Sequence, residues 1–356
     1  MTAPEQSLPV PESAHDITPG WLSAALGAPV TGVTSTRVGS GQIGTCHRLG
    51  LEGPGVDAGE APRALVAKLA AEDPAARAFL GGVYRTEVLF YRDIAHTVAV
   101  RTPRCHHGAI GGDATTFVLL LEDAAPAVQG DQLTGCTPGQ AAAAVDNLAG
   151  LHGPRWCDPA LLDVPWLSAL TEEDARTLGE VFAPATETFI DRFGDAIPPE
   201  DARTLRDTAA AVEAWAVARP ERFGLVHGDY RLDNLLFPPG GAPGVLAVDW
   251  QTVTVGHPVR DLSYLLGTGL DPAARAAAEH GLVARYHAAL TGHGVQGYTL
   301  EECFDDYRFA ALQGPLTTVL GCAYSSHRTD RGDAMFLAMA RRSCAQIRDL
   351  DTLSLI

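Results

Sequence analysis

Hydrophobic positions fall in short β-like runs, separated by Gly-rich turns, over the first third of the chain and at helical spacing over most of the rest. The runs 33–38, 45–51 and 64–69 each read as a strand between Gly-rich turns. The Gly/Pro-rich stretch 53–62 reads as a hairpin loop. From 82 to about 96, Val83, Glu87, Phe90, Tyr91 and Ile94 recur with a helix period. Two further strands are predicted near 103–110 and 115–121. Five strands with one helix between the third and fourth predict a small antiparallel α+β lobe.

The texture changes after Glu122. Residues 137–151 are Ala-rich and periodic, and Thr137-Pro138 suits a helix start. Further helices are predicted over 171–192, 200–218, 272–291, 299–322 and 332–349. Only 223–250 interrupts them, with the short apolar runs 235–237 and 245–248. The expected organisation is therefore a mobile arm over 1–20, a β-rich lobe over 21–124 and a mainly helical lobe over 125–356. No internal repeat and no low-complexity tract is visible.

Composition narrows the function classes. The net charge of −17 opposes sequence-independent nucleic-acid binding and docking on anionic lipid. It is compatible with a cationic substrate, although acidic residues spread over the surface for solubility account for it as well. No apolar run approaches the length that spans a bilayer, and the acidic, Pro-rich start lacks the pattern of a secretory signal. Cysteines at 46, 105, 136, 157, 303, 322 and 344 are odd in number and widely spaced, which predicts thiols in a reducing cytoplasm. Of 26 basic residues, 25 are arginine, and Lys68 is the one lysine. A compact ammonium is retained at that position alone.

Gly39-Ser40-Gly41-Gln42-Ile43-Gly44 matches G-x-G-x-x-G. By itself it fits a dinucleotide-binding turn, a phosphate-covering flap between antiparallel strands, or an ordinary hairpin. Lys68 follows in the third predicted strand, and Glu87 lies on the next predicted helix. A lysine and carboxylate so placed suit the α- and β-phosphates of a nucleotide. The densest segment is Leu225 to Phe237, LVHGDYRLDNLLF. In it Asp229 and Asn234 are spaced so that one turn presents an acid to a substrate hydroxyl and an amide to Mg²⁺. Asp249 then ends an apolar strand, where it can bridge metal to phosphate.

These segments, with VDWQTVTVGHPVRDLSYLL after them, resemble the aminoglycoside phosphotransferase and choline kinase superfamily. That group includes ecdysteroid-kinase-like proteins and kinase domains fused to acyl-CoA dehydrogenases. The resemblance runs from about Val38 to Leu266. It implies a bilobal protein-kinase-like α+β fold, with a small antiparallel-sheet N-lobe and a larger helical C-lobe. It implies ATP and Mg²⁺, with a small-molecule hydroxyl as acceptor.

Residue by residue, the resemblance makes Asp229 the catalytic base or hydroxyl-orienting group and Arg231 a stabiliser of transition-state charge. Asn234 and Asp249 become metal ligands, and Lys68 and Glu87 the phosphate-anchoring pair. Gly39, Ser40, Gly41, Gln42, Ile43 and Gly44 become the flap, and Glu122, Asp123 and Ala124 the hinge along which adenine lies. His227 and Asp261 match positions that brace the catalytic loop. The chain departs from protein kinases in the Trp-Gln after Asp249 and in having no A-P-E after it, which disfavours a protein substrate.

The expected function is ATP- and Mg²⁺-dependent phosphorylation of a small-molecule alcohol. The acceptor is an antibiotic such as an aminoglycoside or macrolide, a steroid-like alcohol, a choline-like alcohol or a hydroxyacyl-CoA. The alternatives are a pseudokinase that binds nucleotide without transfer and, on the glycine motif alone, a nicotinamide-dependent oxidoreductase. Trp250, His257, Tyr264, Leu312 and Tyr324 are candidate walls for the acceptor. The acidic run Glu301-Glu302 with Asp305-Asp306 reads as a solvated helix start or, less simply, a surface for a cationic acceptor.

Overall fold

The structure is a computed structural model, and it describes residues 8–39, 43–325 and 328–356. The chain divides into two compact units. The first comprises residues up to His96 together with Pro103–Ala125, and the second comprises Thr97–Thr102 and Pro126–Ile356. The segment Thr97–Thr102, expected in the smaller lobe, belongs to the larger unit. Ala99 N–H donates to Gly150 O and Arg101 O accepts from Ala247 N–H.

The first unit contains α1 (Pro19–Leu26), β1 (Gly32–Val38), β2 (Gly44–Glu52), the one-turn α2 (Pro54–Asp57), β3 (Ala64–Ala70), α3 (Pro74–Leu89), β4 (Cys105–Ile110) and β5 (Phe117–Glu122). The strands form one antiparallel sheet in the order β1-β2-β3-β5-β4. β5 is apolar on both faces because both faces are covered. Val118 and Leu120 join Trp21, Leu22, Leu49, Leu65 and Ala67 in a core on one side. Phe117, Leu119 and Leu121 pack with Tyr84 and Val88 of α3 on the other.

Helix α1 and the turn α2, the latter within the expected hairpin loop, have no counterpart among the expected elements, and two further departures lie in this unit. Residues 8–18, expected to be part of a mobile arm, pack on the sheet. Leu8 and Val10 lie against the core, Ile17 is buried, and Trp21 Nε1 donates to Pro9 O at 2.8 Å. The helix expected from 82 begins already at Pro74, where Asp73 caps the Ala75 N–H, and ends in a π-helical turn over Phe90–Ile94.

The second unit contains β6 (Val128–Gln129), α4 (Pro138–His152), α5 (Glu172–Phe193), α6 (Pro199–Val217), β7 (Gly224–Val226), β8 (Leu235–Phe237), β9 (Leu246–Ala247), β10 (Thr254–Gly256), α7 (Val259–Gly269), α8 (Pro272–Gly292), α9 (Leu300–Phe309), α10 (Gln313–Tyr324) and α11 (Asp330–Asp349). The strands form two small sheets, β10-β7 and β6-β8-β9. Helix starts are capped as their sequences require. Thr137, Thr171 and Thr299 form reciprocal capping boxes with Gln140, Asp174 and Glu302.

The stretch expected as one helix over 299–322 is broken by a 3₁₀ turn at Ala310–Leu312. Helix α7 has no counterpart among the expected elements. Its residues from Asp261 to Gly269 are all buried, the polar Asp261, Ser263 and Thr268 among them, so its polar side is turned inward as well. A small unit built on a five-stranded antiparallel sheet and a larger, mainly helical unit are the two parts of the kinase-like architecture that the sequence predicts.

Candidate active site

In the first unit, register brings the phosphate-anchoring candidates together. Lys68 on β3 stands opposite Leu119 on β5, so its side chain shares the face that α3 covers. Its Nζ donates to Glu87 Oε1 at 2.8 Å and lies 2.7 Å from Oε2. Glu87 is 1% exposed and the Lys68 side chain 13%. Charges this dry are held by each other, so loss of either one is costly. We expect Lys68→Ala to lower kcat/KM for Mg-ATP by about 10²-fold, the scale of a lost preorganised charge, and to lower the melting temperature. Steady-state kinetics and a thermal melt check both.

The glycine motif joins β1 to β2, two antiparallel strands, and no helix follows it. That geometry removes the dinucleotide-binding reading of 39–44, and the oxidoreductase alternative with it. Ser40, Gly41 and Gln42 lie outside the described residues. Of the rest, Gly44 approaches β3 so closely that a Cβ there would stand 2.5 Å from Leu69 O. Ile43 O accepts from the hydroxyl of buried Tyr84 at 2.8 Å, one turn of α3 before Glu87. Tyr84 thus ties the end of the glycine turn to the helix that holds Lys68, a link that a core-like tyrosine in the sequence did not signal.

At the proposed hinge, Glu122 N–H donates to Arg104 O at 2.8 Å, and its carboxylate accepts from Arg104 N–H. Asp123 pairs with Arg48 at 2.9 Å and accepts from Ala125 N–H.

In the second unit the loop after β7 carries the catalytic candidates. Gly228 has φ +82°, and a Cβ there would lie 2.8 Å from Thr252 O, so only glycine fits. Asp261 of α7 is fully buried and accepts from two successive backbone donors, His227 N–H at 2.6 Å and Gly228 N–H at 3.0 Å. His152 of α4 stands on the same carboxylate at 3.3 Å and on Tyr286 Oη at 2.6 Å. His227 Nε2 donates to Val248 O, so its Nδ1 accepts from Asp229 N–H. His152 completes this brace, although no motif in the sequence marks it.

Asn234 and Asp249 are brought side by side by backbone pairing. Leu235 pairs with Ala247, and Val248 N–H donates to Asn234 O at 3.0 Å. Asp249 then turns into the left-handed region, at φ +70°. The Asn234 amide nitrogen donates to Asp229 Oδ2 at 2.8 Å and to Asp229 O at 2.9 Å. Its oxygen is therefore the atom suited to a cation. Among the described residues no three His, Cys, Asp or Glu gather as a self-sufficient metal site. Two hard oxygen donors on adjacent strands fit a cation that takes its other ligands from phosphates and water, as Mg²⁺ does.

Arg231 Nε donates to Asp229 Oδ2 at 3.1 Å, and its Nη1 reaches Asp233 Oδ2 and Met335 Sδ, both at 3.2 Å. Burial alone lowers its pKa, but the Asp229 and Asp233 carboxylates outweigh that and hold it above its ordinary value. Gln132, fully buried, accepts from Leu232 N–H and donates its own N–H to Asp233. It pins the other side of the loop, and nothing in its sequence context points to it.

The residues expected to wall an acceptor divide differently. Trp250 and Leu312 are fully buried, and Trp250 Nε1 donates to Thr102 Oγ1. Tyr324 is 68% exposed. His257 is buried beside Asp306. Tyr264 alone reaches the site, with its hydroxyl 2.9 Å from Asp229 Oδ1. The acidic run after 300 is neither solvated nor open to a cation at its inner end. Asp306 is fully buried and takes Arg219, Arg222 and Tyr298, while Glu302 caps its helix and pairs with Arg222.

The fold is kinase-like, with a buried Lys–Glu pair in the first unit and a braced Asp/Asn/Asp arrangement in the second. Residues 57–298 match the phosphotransferase enzyme family, and the chain belongs to that family. Its fold is similar to that of a Ralstonia eutropha JMP134 protein assigned as an aminoglycoside phosphotransferase, at TM-score 0.52 and 19% identity over 93% of this chain and 97% of that one. It is likewise similar to choline kinase from Cryptosporidium parvum, at TM-score 0.56 and 9% identity over 96% of both chains. A third similar structure is an aminoglycoside 2'-phosphotransferase-IIIa variant in complex with GDP, at TM-score 0.51 and 13% identity over 92% of both chains.

Short segments also match longer proteins. A 40-residue stretch is 48% identical to acyl-CoA dehydrogenase family member 11 of Gallus gallus, covering 11% of this chain and 5% of that protein. A 46-residue stretch is 48% identical to family member 10 of Mus musculus, covering 13% and 4%. No helix among the described residues is long and apolar enough to cross a membrane, and all seven cysteines are thiols.

Proposed function

We propose that this protein transfers the γ-phosphoryl group of ATP to a hydroxyl of a small molecule, with Mg²⁺ as cofactor. The observation that carries this reading is the Asp229–Asn234–Asp249 assembly. A carboxylate, an amide oxygen and a second carboxylate are gathered by one braced loop and one strand pair.

Asp229 takes up or orients the proton of the acceptor hydroxyl, and Arg231 places positive charge beside it. Lys68, oriented by Glu87, binds the α- and β-phosphates, and residues 39–44 cover them. Residues 122–124 receive the adenine. Asn234 and Asp249 hold the metal, which when bound neutralises charge on the β- and γ-phosphates. The acceptor hydroxyl oxygen forms the new P–O bond, the bond to the β-phosphate oxygen breaks, and ADP leaves.

The acceptor is an aminoglycoside or choline, which the similar structures' names carry, or a macrolide or a hydroxyacyl-CoA, which the sequence resemblance adds. A steroid-like alcohol joins them on the sequence resemblance. Arginines neutralise Asp306, which weakens the case that the acidic run after 300 receives a polycation.

The test is ADP release from Mg-ATP across a panel of these alcohols, with Asp229→Asn as control. Release that depends on one acceptor class and on Asp229 confirms the reading and names the acceptor. Chelation of Mg²⁺ with EDTA is expected to abolish release, and added Mg²⁺ to restore it. Mg-ATP binding without transfer to any acceptor or to water would instead identify a pseudokinase.

A further inference from the structure

The Cβ–Cγ torsion of an aspartate is soft, so a catalytic carboxylate needs donors on both oxygens to keep one orientation. At Asp229 the loop supplies donors to one oxygen only. Asn234 Nδ2 and Arg231 Nε both reach Oδ2. The donor to Oδ1 comes from another element, the Tyr264 hydroxyl of α7, at 2.9 Å.

Tyr264 is held more rigidly than that contact alone requires. It is fully buried and packs with Met335 and Met339 of α11. Met335 also receives Arg231, so the same methionine steadies donors on both sides of the carboxylate. Tyr264 follows Asp261 by three residues, on one face of α7. One helix therefore fixes the backbone of the catalytic loop through Asp261 and the carboxylate plane through Tyr264. A phenylalanine would fill the space equally well. A buried hydroxyl costs stability unless it is hydrogen-bonded, and this one is bonded to the Asp229 carboxylate. Burial, then the neighbouring Asp229 charge, push its pKa well above the ordinary value, which keeps it a donor.

We infer that Tyr264 is a positioning residue that fixes the rotation of the Asp229 carboxylate, so that Oδ1 meets the acceptor hydroxyl in one orientation. The inference rests on the phosphotransferase reading above. Oδ2 is taken by two donors, whereas Oδ1 takes one and retains acceptor capacity for the incoming proton.

The experiment uses the full chain and ADP release from Mg-ATP, with the most active acceptor of the panel and with water alone. Tyr264→Phe is expected to lower kcat about tenfold, the scale of one lost hydrogen bond to a charged group, with KM for Mg-ATP within about twofold. Fluorotyrosine at 264 keeps the donor and is expected to retain kcat within about threefold. In the double variant with Asp229→Asn, the loss is expected to equal that of Asp229→Asn alone, because both act through one group. Wild-type kcat in Tyr264→Phe beside an inactive Asp229→Asn would overturn the inference and leave the phosphotransferase intact. A matching rise in KM for Mg-ATP, an additive double variant or a failed fluorotyrosine would also overturn it. A wild-type protein that releases no ADP in any arm would overturn the reading itself and this inference with it.

Discussion

Asp229→Asn is expected to lower turnover by at least about 10²-fold, the scale of general-base effects, and to leave Mg-ATP affinity largely intact. The substitution keeps the side chain's shape but removes its negative charge and its acceptor capacity at one oxygen. Tyr264, Asn234 and Arg231 all donate to this carboxylate, so an amide in its place confronts donors with donors. Nucleotide affinity is expected to survive because Lys68, Glu87 and Tyr84 form their contacts within the first unit. Single-turnover phosphoryl transfer combined with nucleotide titration separates the two quantities. Near-normal turnover in this variant would remove Asp229 from the mechanism.

Asp261→Ala is expected to unfold the protein more readily and to abolish transfer at the same time. The carboxylate is the partner of two buried backbone N–H groups and of His152. Leaving buried donors unsatisfied costs on the order of 1–3 kcal/mol each. For a unit of this size that corresponds to a melting-temperature drop of roughly 5–15 °C. Asp261→Asn is expected to recover part of the stability, because its amide oxygen still accepts from one of the two N–H groups. It is not expected to recover activity, since the amide NH₂ is driven against the other. Differential scanning calorimetry and ADP release on the two variants check this. A stable, active Asp261→Ala would show that the loop holds its shape without α7.

Asp261 and Tyr264 show how far the sequence could be read. The motif HGDYRLDNLLF followed by VDW was legible because the chemistry needs Asp, Asn and Asp at nearly fixed spacing on one turn and one strand pair. Lys68 was legible for a compositional reason: it is the one lysine among 26 basic residues, and it lies in a strand that a short apolar run already marked. The antiparallel lobe was legible because its strands are short β-like runs separated by turns rich in glycine.

The misread parts share a cause. Helix α7 buries polar residues along with apolar ones, residues 8–18 contain no long apolar run, and the 3₁₀ break at Ala310–Leu312 lies in a continuous apolar stretch. In each case burial by distant elements set the outcome.

The sequence by itself determined the class of chemistry, because residue identity and short spacing are local and the loop geometry follows from them. Beyond His227 and Asp261, which groups hold that chemistry in place was decided by tertiary structure. Tyr264 stands on Asp229 from 35 positions away, His152 on Asp261 from 109, and Gln132 on Leu232 from 100. Contacts across such separations depend on how helices pack, and packing is set by the summed burial of many side chains rather than by any motif near the residues that meet.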